Sequence, residues 1–443
     1  MSKQVKIAPE VDYQKNVPHT NVAIDNITTS YHNPREAPNM SDTIVFDIAP
    51  SEELFTDLQN SPLRIRYQIQ KRAINTNDWL NIATDAGGEE AETGIVNNIL
   101  HSLFSQIHLR LNNDLISRST GLYPHLAHFI NAYNYSDDAK RNSLYCEGFI
   151  QDTAGSFDAI NADNPAYNQR RARIANGRVD ELMGVLFFPL STDALLIPPQ
   201  TRINLSLQKS PIDFILKRKN VNNEYRVNFI NMHWLVKKIR YTESIARTAN
   251  QVLATSAGGV LPLNYMYPTN HTLNSGQKAY DIEISTGKVP YELVIGIIPT
   301  KDFLGDRLTN PFNYSHNNLE EIQLKVEDQS IPLEPLKMDY ANQRYTEAYR
   351  YTMNSIGQYK RQITSNISYA DFPNGFCFYI FNLRPDESTS VKYYPEQRSG
   401  NIRCLLKFRA DLTAAMTVFV IRSYNNQINV NRIREYTGNM LTY

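Results

Sequence analysis

The chain has 443 residues, too many for one ordinary core, so two or three domains are expected. Lys plus Arg and Asp plus Glu both number 45, and the resulting net charge of zero argues against direct packaging of nucleic acid as the main role while suiting a protein that associates. Three widely spaced cysteines, Cys146, Cys377 and Cys404, form neither a disulfide framework nor a zinc pattern.

Residues 1–40 are polar, hold Pro9, Pro18, Pro34 and Pro38, and as a whole carry no sustained period. They read as an arm, ordered by a partner or by the neighbouring body. No apolar run at the start suggests a signal peptide. The longest apolar runs, 293–298 and 416–421, are far below the ~20 residues that span a bilayer. The chain is therefore expected to be made as a soluble intracellular protein, with nucleus or cytoplasm left open. The Asn-x-Ser/Thr triplets at Asn26, Asn39, Asn204, Asn313 and Asn366 then read as chance matches.

Strand signals begin at "DTIVFDI" (42–48) and "LRIRYQIQ" (63–70), where apolar and polar residues alternate as a half-buried strand requires. The stretch 74–94 reads as a loop. "SQIHLRLNNDLIS" (105–117) is a strand with a polar turn. The helix that follows carries Leu122, Leu126, Phe129, Ile130 and Tyr133 on one face, with Pro124 in its first turn and Thr120 as a cap. Residues 136–180 are polar and nearly aperiodic. Strands resume at 184–190 ("GVLFFPL"), 201–208 and 225–241. A short helix with Ile245, Ala249, Val252 and Leu253 on one face, stopped at Gly258-Gly259, reads as a connector between halves.

The second half follows the same order. Strands at 279–285 and 292–299 precede "EEIQLKVEDQSIP" (320–332), which matches the earlier stretch position for position. Ile107, Leu109 and Leu111 answer to Ile322, Leu324 and Val326, 215 residues on. A helix with Ala341, Tyr345, Ala348, Tyr349 and Met353 on one face follows, with Asp339 as cap. Then come "GFCFYIFNL" (375–383), "IRCLLKFRA" (402–410) and a long strand at 416–430. Five elements repeated in order predict an all-β chain of two tandem sandwiches. The expected division is an arm over 1–40, a first unit over 41–242, a connector over 243–262, and a second unit with its tail over 263–443.

Catalytic signatures are missing: no G-x-S-x-G, H-E-x-x-H, phosphate-binding glycine loop or C-x-x-C occurs. No catalytic, cofactor or metal residue is assigned. His125 and His128, at i and i+3, are either a metal pair or a buried or interfacial pair; no carboxylate or Cys nearby in sequence completes a metal site. The basic groups Arg170, Arg171, Arg173, Arg178 and Lys217, Arg218, Lys219 read as solvated loop charge or as salt bridges across a subunit contact, with nucleic-acid contact or nuclear import as the alternative. The Tyr-rich helix face reads as packing on a sheet rather than stacking on a ligand.

Residues 310–352, "NPFNYSHNNLEEIQLKVEDQSIPLEPLKMDYANQRYTEAYRYT", resemble the major capsid proteins of Maverick/Polinton-type elements and adintovirus-like DNA viruses. The Asn310-Pro311-Phe312 and His316 grouping, the acidic turn, "IPLEPL" and the Tyr-rich helix carry the likeness. "DFPNGFCFYIFNLRPD", "GNIRCLLKFRADL" and "INVNRIRE" continue it, and "YPHLAHFINAYNYS", "DTAGSFD" and "LIPPQTRINLSLQKS" extend it more loosely into the first half. The resemblance implies a double jelly roll, two eight-stranded antiparallel sandwiches in one chain. It further implies homotrimers of pseudo-sixfold outline, like hexons, tiling an icosahedral virion shell with penton and minor capsid proteins. Residues 136–180 and 210–224 would then supply outer towers or contacts within the trimer. Two other classes remain open at this point: a jelly-roll glycan-binding, attachment or penton-like protein, and a jelly-roll enzyme.

Overall fold

The computed structural model describes residues 22–438 apart from 74–77, 83–91, 118–119, 161–162, 193–194, 219–222, 256–257, 387–388 and 390–396. Most of the loop expected at 74–94 thus lies outside the described residues, as do the first 21 residues of the arm.

In the first half the main strands are β1 (Ile24–His32), β2 (Thr43–Ile48), β3 (Leu63–Arg72), β4 (Phe104–Leu111), β5 (Asp114–Ser117), β6 (Asp180–Gly184), β7 (Ile203–Lys209) and β8 (Tyr225–Tyr241). The second half has β9 (Gly259–Leu273), β10 (Ala279–Lys288), β11 (Glu292–Pro299), β12 (Leu319–Val326), β13 (Gln329–Lys337), β14 (Phe378–Asn382), β15 (Ser399–Phe408) and β16 (Met416–Val430). The first eight pair antiparallel in the orders β1-β8-β3-β6 and β2-β7-β4-β5. The second eight pair as β9-β16-β11-β14 and β10-β15-β12-β13. Each strand therefore has its counterpart eight strands later. Short extra strands, Leu54–Asp57 and Leu196–Ile197 among them, widen the first sheet.

The repeated strand occupies equivalent places. β4 and β12 are each an inner strand of their sheet, with Leu109 opposite Leu205 and Leu324 opposite Cys404. Ile107, Leu109, Leu111, Ile322, Leu324 and Val326 are all buried, as period-two strands with one face on a core require. The polar turns are equivalent too. Asn112 and Glu327 both adopt positive φ. Each donates its backbone N–H to the neighbouring strand's carbonyl, Arg202 at 2.7 Å and Asn401 at 2.8 Å. The Asn112 and Glu327 side chains accept the N–H of those same residues at 2.8 and 2.6 Å. An amide and a carboxylate perform one task, closing the ladder end.

Four expectations are corrected. Part of the presumed arm, Ile24–His32, is β1, the counterpart of β9, so the first sandwich starts before residue 41. β9 itself begins within the presumed connector. Pro262 and Pro268 interrupt its pattern, and proline is tolerated there because β9 is an edge strand that pairs with β16 alone among the described residues. The strand expected at 184–190 lies upstream, at β6. Beyond Gly184 the Ser191 hydroxyl replaces a ladder partner, accepting the Phe188 N–H at 3.0 Å and reaching the Leu186 carbonyl at 2.8 Å, so Leu186, Phe188 and Leu190 are buried without forming a strand. Thr120 does not cap the first long helix, α1 (Tyr123–Tyr133); its hydroxyl donates to the Pro268 carbonyl at 3.0 Å.

The other long helices among the described residues are α2 (Pro165–Ile174), α3 (Glu243–Ala254) and α4 (Thr346–Ser355). α1 follows β5 as α4 follows β13, so this feature also repeats. No helix among the described residues is long and apolar enough to cross a membrane.

Two large cores fill the molecule, and they exchange side chains. Every residue of α1 is buried. Tyr123 and Ala127 join the first core, whereas Leu126, Phe129, Ile130 and Tyr133 join the second. Phe149 and Phe157, also from the first half, belong to the second core. In return Leu261, Leu263, Ile428 and Val430 from β9 and β16 complete the first.

Candidate functional site

The residues singled out from sequence converge on the seam where the halves interlock. Pro124 sets φ for the first turn of α1, and the helix lies with apolar residues on all sides between the two cores. His125 is buried there. It stacks on Phe303 with ring centroids 4.1 Å apart, donates from Nε2 to the Phe303 carbonyl at 3.2 Å, and accepts the Tyr314 hydroxyl at Nδ1 at 2.9 Å. His128 stacks on Phe312 at 4.3 Å, and neither of its ring nitrogens has a hydrogen-bond partner among the described residues. The pair is buried, as one reading of the sequence held. No three metal-ligating side chains gather among the described residues.

Burial lowers both imidazoles to about 3, with Lys140 and Arg170 adding repulsion at His128. The unfolded chain binds protons near pH 6.5, well before the folded chain does. Stability is therefore complete above about pH 6.5 and falls with pH until both folded imidazoles titrate. Between pH 7 and 4.5 the loss is expected to reach roughly 2–3 kcal/mol per histidine. Urea midpoints at the two pH values check this, with His128→Phe expected to shrink the difference; an unchanged difference would refute it.

Beside α1 lies a buried polar network. The Arg170 side chain, wholly buried on α2, meets Asp152 at 2.6 Å and donates to the Ile95 and Ile150 carbonyls at 3.2 and 2.8 Å. Asp152 also accepts Asn164 Nδ2 at 2.8 Å and, from the second half, Asn310 Nδ2 at 3.2 Å. The Asn310 N–H donates to Asp158 at 2.6 Å, and Asn313 Nδ2 donates to the same carboxylate at 2.7 Å. Lys217 Nζ donates to the Phe157 carbonyl at 3.1 Å, and burial lowers its pKa. The "DTAGSFD" and "NPFN" motifs, more than 150 residues apart in sequence, thus hold each other. Gly375 completes the contact: it has φ +113°, and a Cβ there would stand 2.1 Å from the Phe157 ring.

The solvated-loop reading of the basic groups is corrected here. Arg170 and Lys217 are buried, Arg173 pairs with Asp180 at 3.0 Å, and Arg218 pairs with Asp213 at 2.6 Å. Arg178 is exposed, and Lys219 lies outside the described residues. Lys140 from the short helix Asp137–Arg141 donates to the Ser365 carbonyl at 2.6 Å, tying that helix to the second half. Lys140, Asp152 and Asp158 carried no local signal of this role, because a buried polar residue reads like an exposed one until its partner arrives from elsewhere in the chain. The Tyr-rich face packs on a loop rather than on a sheet: Tyr345, just before α4, stacks on Tyr369 at 4.3 Å, and Tyr349 donates to the Ile367 carbonyl at 2.9 Å, whereas α4 meets strand β14 through Thr352, whose hydroxyl donates to the Phe378 carbonyl at 3.2 Å.

Cys377, buried against Tyr340 and Tyr379, has its thiol pushed up to about 11.

Known structures share this fold. The chain superimposes on one from the cryo-EM structure of the Sputnik virophage with a TM-score of 0.62 and 10% identity, covering 100% of this chain and 94% of that one. The fold is a double jelly roll. The major capsid protein of mavirus matches this double jelly roll with a TM-score of 0.54 and 11% identity, over 100% and 96% of the two chains. The faustovirus major capsid protein gives 0.58 and 9%, over 94% and 92%. By sequence, the uncharacterized protein F54H12.2 of Caenorhabditis elegans is 20% identical over 341 residues, covering 75% of this chain and 78% of that protein. No protein-family model matches the chain.

Proposed function

We propose that this double jelly roll is a major capsid protein. Three copies form a pseudo-hexameric homotrimer, and trimers tile an icosahedral virion shell together with penton and minor capsid proteins. The observation that carries the reading is the strand-for-strand repeat of one eight-stranded sandwich within a single chain. A trimer of a duplicated unit presents six similar edges, so one chain fills a hexagonal lattice. Interlocked cores suit this role, because the two units hold a fixed angle and the six edges keep their geometry. Zero net charge suits lateral association and leaves genome contact to other proteins. The role is structural rather than enzymatic and needs no cofactor. Full-length protein examined by mass photometry and negative-stain electron microscopy is expected to give trimers of hexagonal outline, or shells. A monomer at every salt concentration and pH, above all one that binds glycans, would overturn the proposal in favour of an attachment protein.

A further inference from the structure

The seam holds an amine that no carboxylate neutralises. Lys217 is 1% exposed, and its Nζ lies 5.4 Å from the Tyr167 ring centre. Among the described residues the Phe157 carbonyl, at 3.1 Å, is its one hydrogen-bond acceptor, and no carboxylate pairs with it. The buried Arg170, by contrast, has Asp152 at 2.6 Å. Burial without an anion favours the uncharged amine, and it lowers the Lys217 pKa even though Asp158 and Asp152 pull the other way. An uncharged, desolvated lysine amine is a nucleophile.

An electrophile stands at the same oxygen. Asn310, wholly buried, also donates its Nδ2 to the Phe157 carbonyl, at 3.2 Å, so amine and amide meet at one atom. The Asp152 carboxylate accepts Nδ2 as well, at 3.2 Å. Asn310 Oδ1 accepts the Phe312 backbone N–H at 3.0 Å, a donor placed where negative charge develops when the amide carbon is attacked. The Asn310 backbone is pinned, because its own N–H donates to Asp158 at 2.6 Å. Phe157, Tyr167 and Phe312 are all buried beside these groups and shut out water that would compete. Nucleophile, electrophile, oxygen donor and proton carrier therefore stand together, drawn from both halves of the chain.

We propose that Lys217 and Asn310 join in an isopeptide bond that fastens the two sandwiches covalently. Nζ attacks the Asn310 side-chain carbon Cγ, and the bond from Cγ to Nδ2 breaks. The Asp152 carboxylate takes a proton from Nζ and passes it to Nδ2, which leaves as ammonia. No oxidant or cofactor enters the balance. Amides are poor electrophiles, so the step is slow, and newly folded chain is expected to lack the bond and to gain it with age. The inference goes beyond the assembly reading and does not depend on it.

Intact mass of full-length chain, read in denaturant after ageing near pH 7 and near pH 9, tests it. Aged chain is expected to be lighter by one ammonia, and sooner at the higher pH, where more of the amine is uncharged. Peptide mapping should find the Lys217 and Asn310 peptides joined. Chain nicked in α3 should part in denaturant when fresh and stay joined when aged. Lys217→Met, which keeps most of the stem and removes the amine, should give no joined peptide. Asp152→Asn should slow the bond by roughly tenfold or more. Folded native chain that keeps its full mass would overturn the proposal, whether or not the variants fold. A lost ammonia that maps to a single peptide, as when an asparagine closes on its own backbone, would overturn it too.

Discussion

Replacing Arg170 with alanine is expected to destabilise the chain by about 3–5 kcal/mol, because Asp152 is left charged and fully buried without its partner. The loss is large against a typical total of about 5–15 kcal/mol. It should spread to the second half, since Asp152 also receives Asn310 and so helps hold the loop that leads into β12. Removing both charges together, as Arg170→Met with Asp152→Leu, should recover much of the loss, because no unpaired ion then remains. Denaturant midpoints of the single and double variants decide the matter. If Arg170→Ala costs less than about 1 kcal/mol, as an exposed ion pair would, the network does not hold the seam.

Cutting the chain between its sandwiches is expected to leave them together. With a protease site placed in α3, where Leu253 is the one buried residue, the nicked halves should co-elute in native buffer. They should part only in denaturant. The second half expressed alone should fail to form a rigid core. It would lack Leu126, Phe129, Ile130, Tyr133, Phe149 and Phe157, all members of its core supplied by the first half. At roughly 1.5–3 kcal/mol for each buried large apolar side chain, the deficit is on the order of 10 kcal/mol, comparable with the whole stability of a domain. Two separable halves, each with sharp near-ultraviolet dichroism, would refute the interlocked reading.

The failures and successes of sequence reading divide along physical lines. β4, β7, β8, β12, β15 and β16 were legible because a strand with one buried face writes its own alternation, and writing it twice in the same order announced the duplication. The polar turns at Asn112 and Glu327 were legible as breaks, though not as clamps. β9 was hidden by Pro262 and Pro268, which only an edge position permits. β1 was hidden because it buries so little that its residues show no apolar period.

Sequence by itself determined two tandem antiparallel units of like strand order and the lack of any recognisable catalytic motif. Period and order are local properties, and a chain carries them without reference to its fold. Only the tertiary structure decided that Arg170 and Lys217 are interior residues, that His125 and His128 are neutral core groups, and that α1 serves both cores. Burial is a property of what arrives from elsewhere in the chain. For Asp158 the partner comes from more than 150 residues away, and Asp152 likewise receives Asn310 from the second half.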